Sequence, residues 1–220
     1  MLDSILKQVV DGVTLIEDEF GAVNKIISRQ IGNYASSSGR KVCFLEPPQR
    51  DTSGEGFASS DSTSSSSHGD SSFDLPTEEL VNTSSSGGSQ KNAVIFRTDQ
   101  RYLPLEELKF DLIIFDSFSS YLFGKSDKEV VDLMEEIARL SRGGKSFVLT
   151  SESGMLKDQV AAYIRASVDT VLIVRNEISQ NKVNRVLYIP KIRTSKPPDR
   201  VIKITIEDEG VEIDTREFVG

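Results

Sequence analysis

Apolar residues at Leu2, Ile5, Leu6, Val9 and Val10 recur with the spacing of one helical face, and Asp11-Gly12 closes the run. Residues 13–16 are a short apolar strand. From residue 22 the apolar positions are Val23, Ile26, Ile27, Ile31 and Tyr34, again one face of a helix. Gly32 weakens that helix, and Ser36-Ser37-Ser38-Gly39 stops it. Residues 41–45, KVCFL, predict a second strand, which Pro47-Pro48 cannot continue.

The pattern then disappears. Residues 49–92 are dominated by Ser, Gly, Thr and Asp, with too little apolar surface to offset the entropy of ordering, so a disordered insert is expected. Within it, residues 74–81 suggest a turn of helix with Pro76 near its first position, or a segment for phosphorylation or partner docking.

Periodicity resumes with a strand at 93–97, AVIFR, and a short turn or helix at 105–108. Residues 111–116, DLIIFD, form a continuous apolar run closed by an acid, the pattern of a parallel strand buried on both faces. Ser126 and Glu129 have capping-box spacing. The helix they open would bury Val130, Leu133, Met134, Ile137 and Leu140 and end at Gly143-Gly144. A strand at 146–150, a helix at 155–166 and a strand at 170–174 follow. Residues 186–189, 201–206 and 211–213 read as antiparallel strands, with turns at 176–184, 195–199 and 209–210. The expected architecture is one α/β domain over residues 1–220, a mainly parallel sheet flanked by helices on both faces with antiparallel C-terminal strands.

Composition narrows the chemistry. The net charge of −8 opposes a broad electrostatic hold on nucleic acid. Cys43 is the single cysteine and His68 the single histidine, which removes disulfides, Cys/His metal sites and a Ser-His-Asp triad. Cys43 lies in an apolar run and reads as a small buried side chain. No apolar run reaches the ~20 residues of a membrane span. MLDSILKQVV lacks the basic region and cleavage site of an export signal, so a cytoplasmic protein is expected.

Several stretches together resemble the RecA superfamily, in particular KaiC-like archaeal and bacterial domains. Leu2-Asp3 followed by GVTLIE resembles the entry to a phosphate loop, and GRKVCFLE the second strand. FDLIIFDSFSSYL resembles a Walker B strand with Asp116 in the acid position and Ser117 after it. GGKSFVLTSE, VDTVLIVRNE and NRVLYIPKIR resemble the later strands, the last with a Lys-x-Arg pair at Lys191 and Arg193. The resemblance implies a P-loop fold, often a ring with nucleotide between subunits, ATP and magnesium as cofactors, and RecA-like homo- or hetero-oligomeric partners.

A working Walker A, G-x-x-x-x-G-K-[ST], closes backbone N–H groups, a Lys and a metal-binding hydroxyl around phosphates. On that frame Asp18 and Val23 replace the glycines, Asn24 the Lys and Lys25 the Ser/Thr, while Gly21 keeps a family residue in mid-loop. Glu17, Asp18 and Glu19 bring three negative charges toward the place of a triphosphate. The expectation is a degenerate loop without ATP or magnesium. Nucleotide-binding positions, if used, are Gly21, Asn24, Lys25, Asp116 and Ser117, with Asp116 holding magnesium and Glu46 in the place of a catalytic glutamate that activates water. The resemblance implies that Lys191 and Arg193 reach a neighbouring subunit's nucleotide; a solvated basic strand end is the plainer reading. Three functions follow: a non-catalytic regulatory or scaffolding subunit, an ATP-binding KaiC-type ATPase or switch with an atypical loop, and a DNA-repair accessory. The last is disfavoured by the acidic charge.

Overall fold

The structure is a computed structural model that describes residues 9–19, 22–47, 78–80, 93–97, 104–179, 182–193, 196–199, 201–207 and 210–213. The central strand is β1 (Val13–Asp18). It is followed by α1 (Ala22–Ser37), β2 (Val42–Glu46), β3 (Glu78–Leu80) and β4 (Ala93–Arg97). Next come β5 (Leu112–Phe115), α2 (Phe118–Leu122), α3 (Asp127–Arg142), β6 (Ser146–Glu152) and α4 (Asp158–Ser167). The chain closes with β7 (Thr170–Ser179), β8 (Lys182–Lys191), β9 (Ile202–Glu207) and β10 (Gly210–Ile213).

The described strands form one sheet in the order β10-β9-β8-β7-β1-β6-β5-β2-β4-β3. From β7 to β4 every neighbouring pair is parallel. The β8 to β10 edge is antiparallel, as is β3 on β4. This is the mainly parallel α/β sheet with antiparallel C-terminal strands that the pattern predicts.

Side-chain alternation along β1 divides the interior in two. Ile16 joins Ile27, Ile31, Phe44, Ile114 and Val174 on the side covered by α1. Val13 and Leu15 join Phe115, Met134, Ile137 and Ile164 on the side covered by α2, α3 and α4. Gly32, weak for a helix on propensity alone, is where α1 sits closest to the sheet: a Cβ there would collide with the Phe44 ring and lie 3.1 Å from Ile114. Ser126 and Glu129 complete the predicted capping box, with both reciprocal bonds to backbone N–H groups.

Three elements differ from expectation. Glu78–Leu80 is a strand paired with β4 rather than a turn of helix; an open sheet edge offers unpaired backbone groups that outweigh a weak helical start. The rest of the serine-rich stretch lies outside the described residues, as do residues 2–8 of the first predicted helix. The long turn expected at 176–184 is instead the far end of two ten-residue strands, with Asn176 opposite Arg185 and Ile178 opposite Val183. Alternation is faint there because β1 pairs with β7 only as far as Val174, leaving the hairpin's end without a parallel neighbour. Finally, α2 has no side-chain cap and spans five residues, too short for a periodic signal.

Candidate functional site

The predicted site residues divide between the two ends of the sheet. At the end where β1, β2, β5 and β6 finish, alternation sends Glu17 and Asp18 to opposite faces. Glu17 is buried beneath α4 and its Oε2 accepts a 2.8 Å bond from Arg165 Nε. Asp18 is fully buried at the head of α1, where Oδ2 accepts a 2.9 Å bond from the Val23 N–H. Glu19 is exposed and accepts from Asn176 N. The three acids therefore do not converge on one phosphate position. One of them does the capping, one pairs with Arg165 of the helix above it, and one faces solvent.

Asn24, in the place of a Walker lysine, is buried; its Nδ2 donates to the Ser151 carbonyl at 2.9 Å and ties α1 to β6. That leaves Oδ1, an acceptor, buried without a hydrogen-bond partner. Lys25 faces the acid after β5, its Nζ 3.4 Å from Asp116 Oδ2. One turn further along α1, Arg29 donates to Glu46 Oε1 at 3.0 Å. Burial raises the Asp116 carboxyl above its ordinary range, opposed by Lys25 and reinforced by Glu46. Asp116 and Glu46, the residues in the places of magnesium ligand and catalytic glutamate, thus each face a cation carried by α1. The i, i+4 spacing of Lys25 and Arg29 was visible in the sequence; their acidic partners were not, because strands far apart in the chain supply them.

Ser117 lies in the left-handed region, with φ 70° and ψ 60°. Its N–H donates to Thr150 Oγ1 at 2.7 Å, and its hydroxyl contacts Glu152 and Ser120. Gly21 lies outside the described residues. A cleft of about 520 Å³ opens beside the head of α1, between Asp18, Glu19 and Val23 and the hairpin residues Ile178, Val183 and Arg185.

Lys191 and Arg193 occupy the other end, where β1 begins. Lys191 Nζ donates to the Ala166 carbonyl at 2.8 Å, at the C-terminus of α4, where a cation suits the helix dipole. Arg193 Nη1 lies 3.7 Å from Asp169 Oδ2, which also accepts from the Val13 N–H at 2.9 Å. Gly12, at φ +84°, passes so close to Asp169 and Arg193 that a side chain would collide with them. Arg193 and Arg142 both line a cleft of about 160 Å³ here. Asp169 was not a sequence candidate; its role rests on contacts 24 and 156 residues away in the chain.

Nucleotide is the ligand this fold implies, and the head of α1 does not fit it. A phosphate there would meet the Asp18 carboxylate and the Asn24 carbonyl oxygen in place of glycine amides and a lysine. Lys25, the nearest cation on that helix, is engaged with Asp116. Cys43 offers no alternative chemistry: it is buried, and burial pushes its thiol far above the ordinary range. No group of His, Cys, Asp and Glu arranged to hold a metal occurs among the described residues. None of their helices is long and apolar enough to cross a membrane.

The parallel sheet, the strand–turn–helix at β1 and the acid after β5 define a RecA-like P-loop fold. A family model described as "ATPase: KaiC" matches residues 100–217, and the chain belongs to that family. Similar solved structures include the flagellar accessory protein FlaH from Methanocaldococcus jannaschii, with TM-score 0.64 and 13% identity over 96% of this chain and 95% of that one. A KaiC-like protein from Pyrococcus horikoshii OT3 has TM-score 0.61 and 11% identity over 92% of this chain and 89% of that one. A search of curated proteins finds no match.

Proposed function

We propose that this chain is a non-catalytic KaiC-like domain, a regulatory or scaffolding subunit that acts through protein contacts and lends Lys191 and Arg193 to the nucleotide site of a RecA-like partner. The observation that carries this reading is the pairing at the head of α1. Asp18 takes the Val23 amide, Lys25 faces Asp116 and Arg29 faces Glu46, so the groups a nucleotide and its metal would use are already engaged within the chain. The position of Lys191 and Arg193 supports the second half. Five residue steps along β1 separate the two ends of the sheet, about 16 Å at ~3.3 Å per residue, so these cations serve another subunit's site and not the chain's own. Arg193 is more than half exposed, and its contact to Asp169 is long enough to exchange for a phosphate.

Calorimetry with ATP and magnesium on the purified chain tests the first half; the expected result is no binding. The second half predicts co-purification with an active RecA-like ATPase and stimulation of that enzyme, lost in the Lys191→Ala/Arg193→Ala variant. Equal stimulation by the variant sinks the lending role.

The competing reading is an ATP-binding switch of the KaiC type. Family membership favours it, since the matching model is that of an ATPase. Tight ATP binding that Asp116→Ala abolishes decides for it.

A further inference from the structure

We infer that Asp18 is an internal anion, the chain's own occupant of the place where a P-loop holds phosphate, and that it keeps the head of α1 closed to external phosphates. This deepens the non-catalytic reading above and rests on it.

A helix N-terminus carries roughly half a unit of positive charge on unpaired N–H groups, and phosphate binding at such ends uses that charge and those donors. Here one of those donors, the Val23 N–H, is taken. The Asp18 carboxyl is fully buried, accepts from Val23 N at 2.9 Å, and places an acceptor oxygen at the same point. A phosphate approaching there meets a buried acceptor oxygen where it would otherwise find the Val23 N–H. The neighbouring position strengthens the closure. Asn24 spends its amide on the Ser151 carbonyl and presents only Oδ1, a buried acceptor without a partner, while Lys25 is engaged with Asp116, so neither side chain replaces the lost amide.

The arrangement has a sequence cause. Asp18 is the last residue of β1 and points to the α1 face by alternation, five residues before the amide it caps. A glycine at this position would carry no carboxylate to fill the space. The substitution does more than remove flexibility from the loop: it supplies a competing ligand.

The test compares wild type with Asp18→Ser and Asp18→Gly by titration calorimetry, using inorganic pyrophosphate and, separately, ATP with magnesium. Serine keeps an oxygen able to cap the Val23 N–H, so that variant should fold even if the glycine variant does not. Thermal melts establish that each protein is folded. The expected result is no binding to wild type, and pyrophosphate binding to the folded variants at least about tenfold tighter, equivalent to ~1.4 kcal/mol, with the Val23 amide resonance moving on titration. A folded Asp18→Ser or Asp18→Gly protein that binds pyrophosphate no better than wild type overturns the inference and leaves the non-catalytic reading standing. Wild-type binding of ATP with magnesium overturns both.

Discussion

Asp116 shows how far a single residue can be read in two ways. As a magnesium ligand it should be a permanently ionised acid. In the structure its side chain is 11% exposed, and burial raises its carboxyl, with Glu46 adding to the shift and Lys25 opposing it. A raised native value means that the folded protein binds the proton more tightly than the unfolded chain. Stability therefore falls as pH rises from the ordinary aspartate value of 3.8 through the raised native one, and the penalty persists at neutral pH. Asp116→Asn removes the penalty, while Lys25, half exposed, returns to water at little cost. We expect the variant to melt ~2–4 °C higher than wild type at pH 7, about 1 kcal/mol, and the gain to shrink as the pH is lowered toward 4. Thermal melts across that range check it; a lower melting temperature at pH 7 would mean that the attraction between Lys25 and Asp116 outweighs the desolvation of the carboxylate. The same scale decides what repairing the motif would do. Val23→Gly, Asn24→Lys and Lys25→Thr restore three Walker positions but leave Asp18 in place. Val23 is also a core residue, so its loss costs about 2–4 kcal/mol between cavity and helix propensity. The triple variant is expected to be less stable in urea and still silent toward ATP in calorimetry. The identities that depart from the Walker pattern were plain in the sequence. That Glu17, Asp18 and Glu19 part company was not, because it depends on which face α1 and α4 cover.

Elements were legible in proportion to their burial. The runs at 42–45 in β2, 112–115 in β5 and 147–149 in β6 are apolar without interruption because helices cover both faces, and such runs announce themselves. The α3 helix was legible from cap to last turn because a single apolar stripe and a capping box mark it. What escaped was set by tertiary position: the edge strand β3, the exposed end of the β7–β8 hairpin, and the short α2 held by Phe115, Phe118 and Tyr121 ring contacts. Gly32 is the sharpest instance of tertiary structure reversing a local rule. On propensity, alanine there should stabilise α1 by ~1 kcal/mol. Against the sheet, its methyl group would strike Phe44 and press on Ile114. Overpacking of this kind costs about 1–3 kcal/mol, so packing wins. Gly32→Ala is expected to lower the urea midpoint with an unchanged m-value; a raised midpoint would mean that α1 can move off the sheet at no cost.

At the scale of the molecule the decisive fact is that the two candidate constellations lie at opposite ends of the same strands. The paired acids and cations stand where β1, β2 and β5 end, while Lys191 and Arg193 stand where β1 and β7 begin. Under the proposed function, the chain gives to a neighbour at one end and takes no nucleotide at the other. That asymmetry makes a quantitative prediction for mixed assemblies. Suppose increasing amounts of this chain are added to an active RecA-like partner at constant partner concentration. Every copy that docks by its Lys191 end completes one partner site, and no copy adds a site of its own. ATP turnover per partner subunit should then rise to a plateau and stay there, while total turnover never exceeds what the partner's own loops can support. The Lys191→Ala/Arg193→Ala chain should dock and depress turnover, since it occupies the position without supplying the charge. An Asp116→Asn chain should behave as wild type, because its own loop takes no part. Steady-state ATPase assays on the three mixtures distinguish these cases. Activity that keeps rising with added wild-type chain, beyond the plateau, would show that its own loop turns over ATP and that the asymmetry read from the two ends of the sheet is wrong.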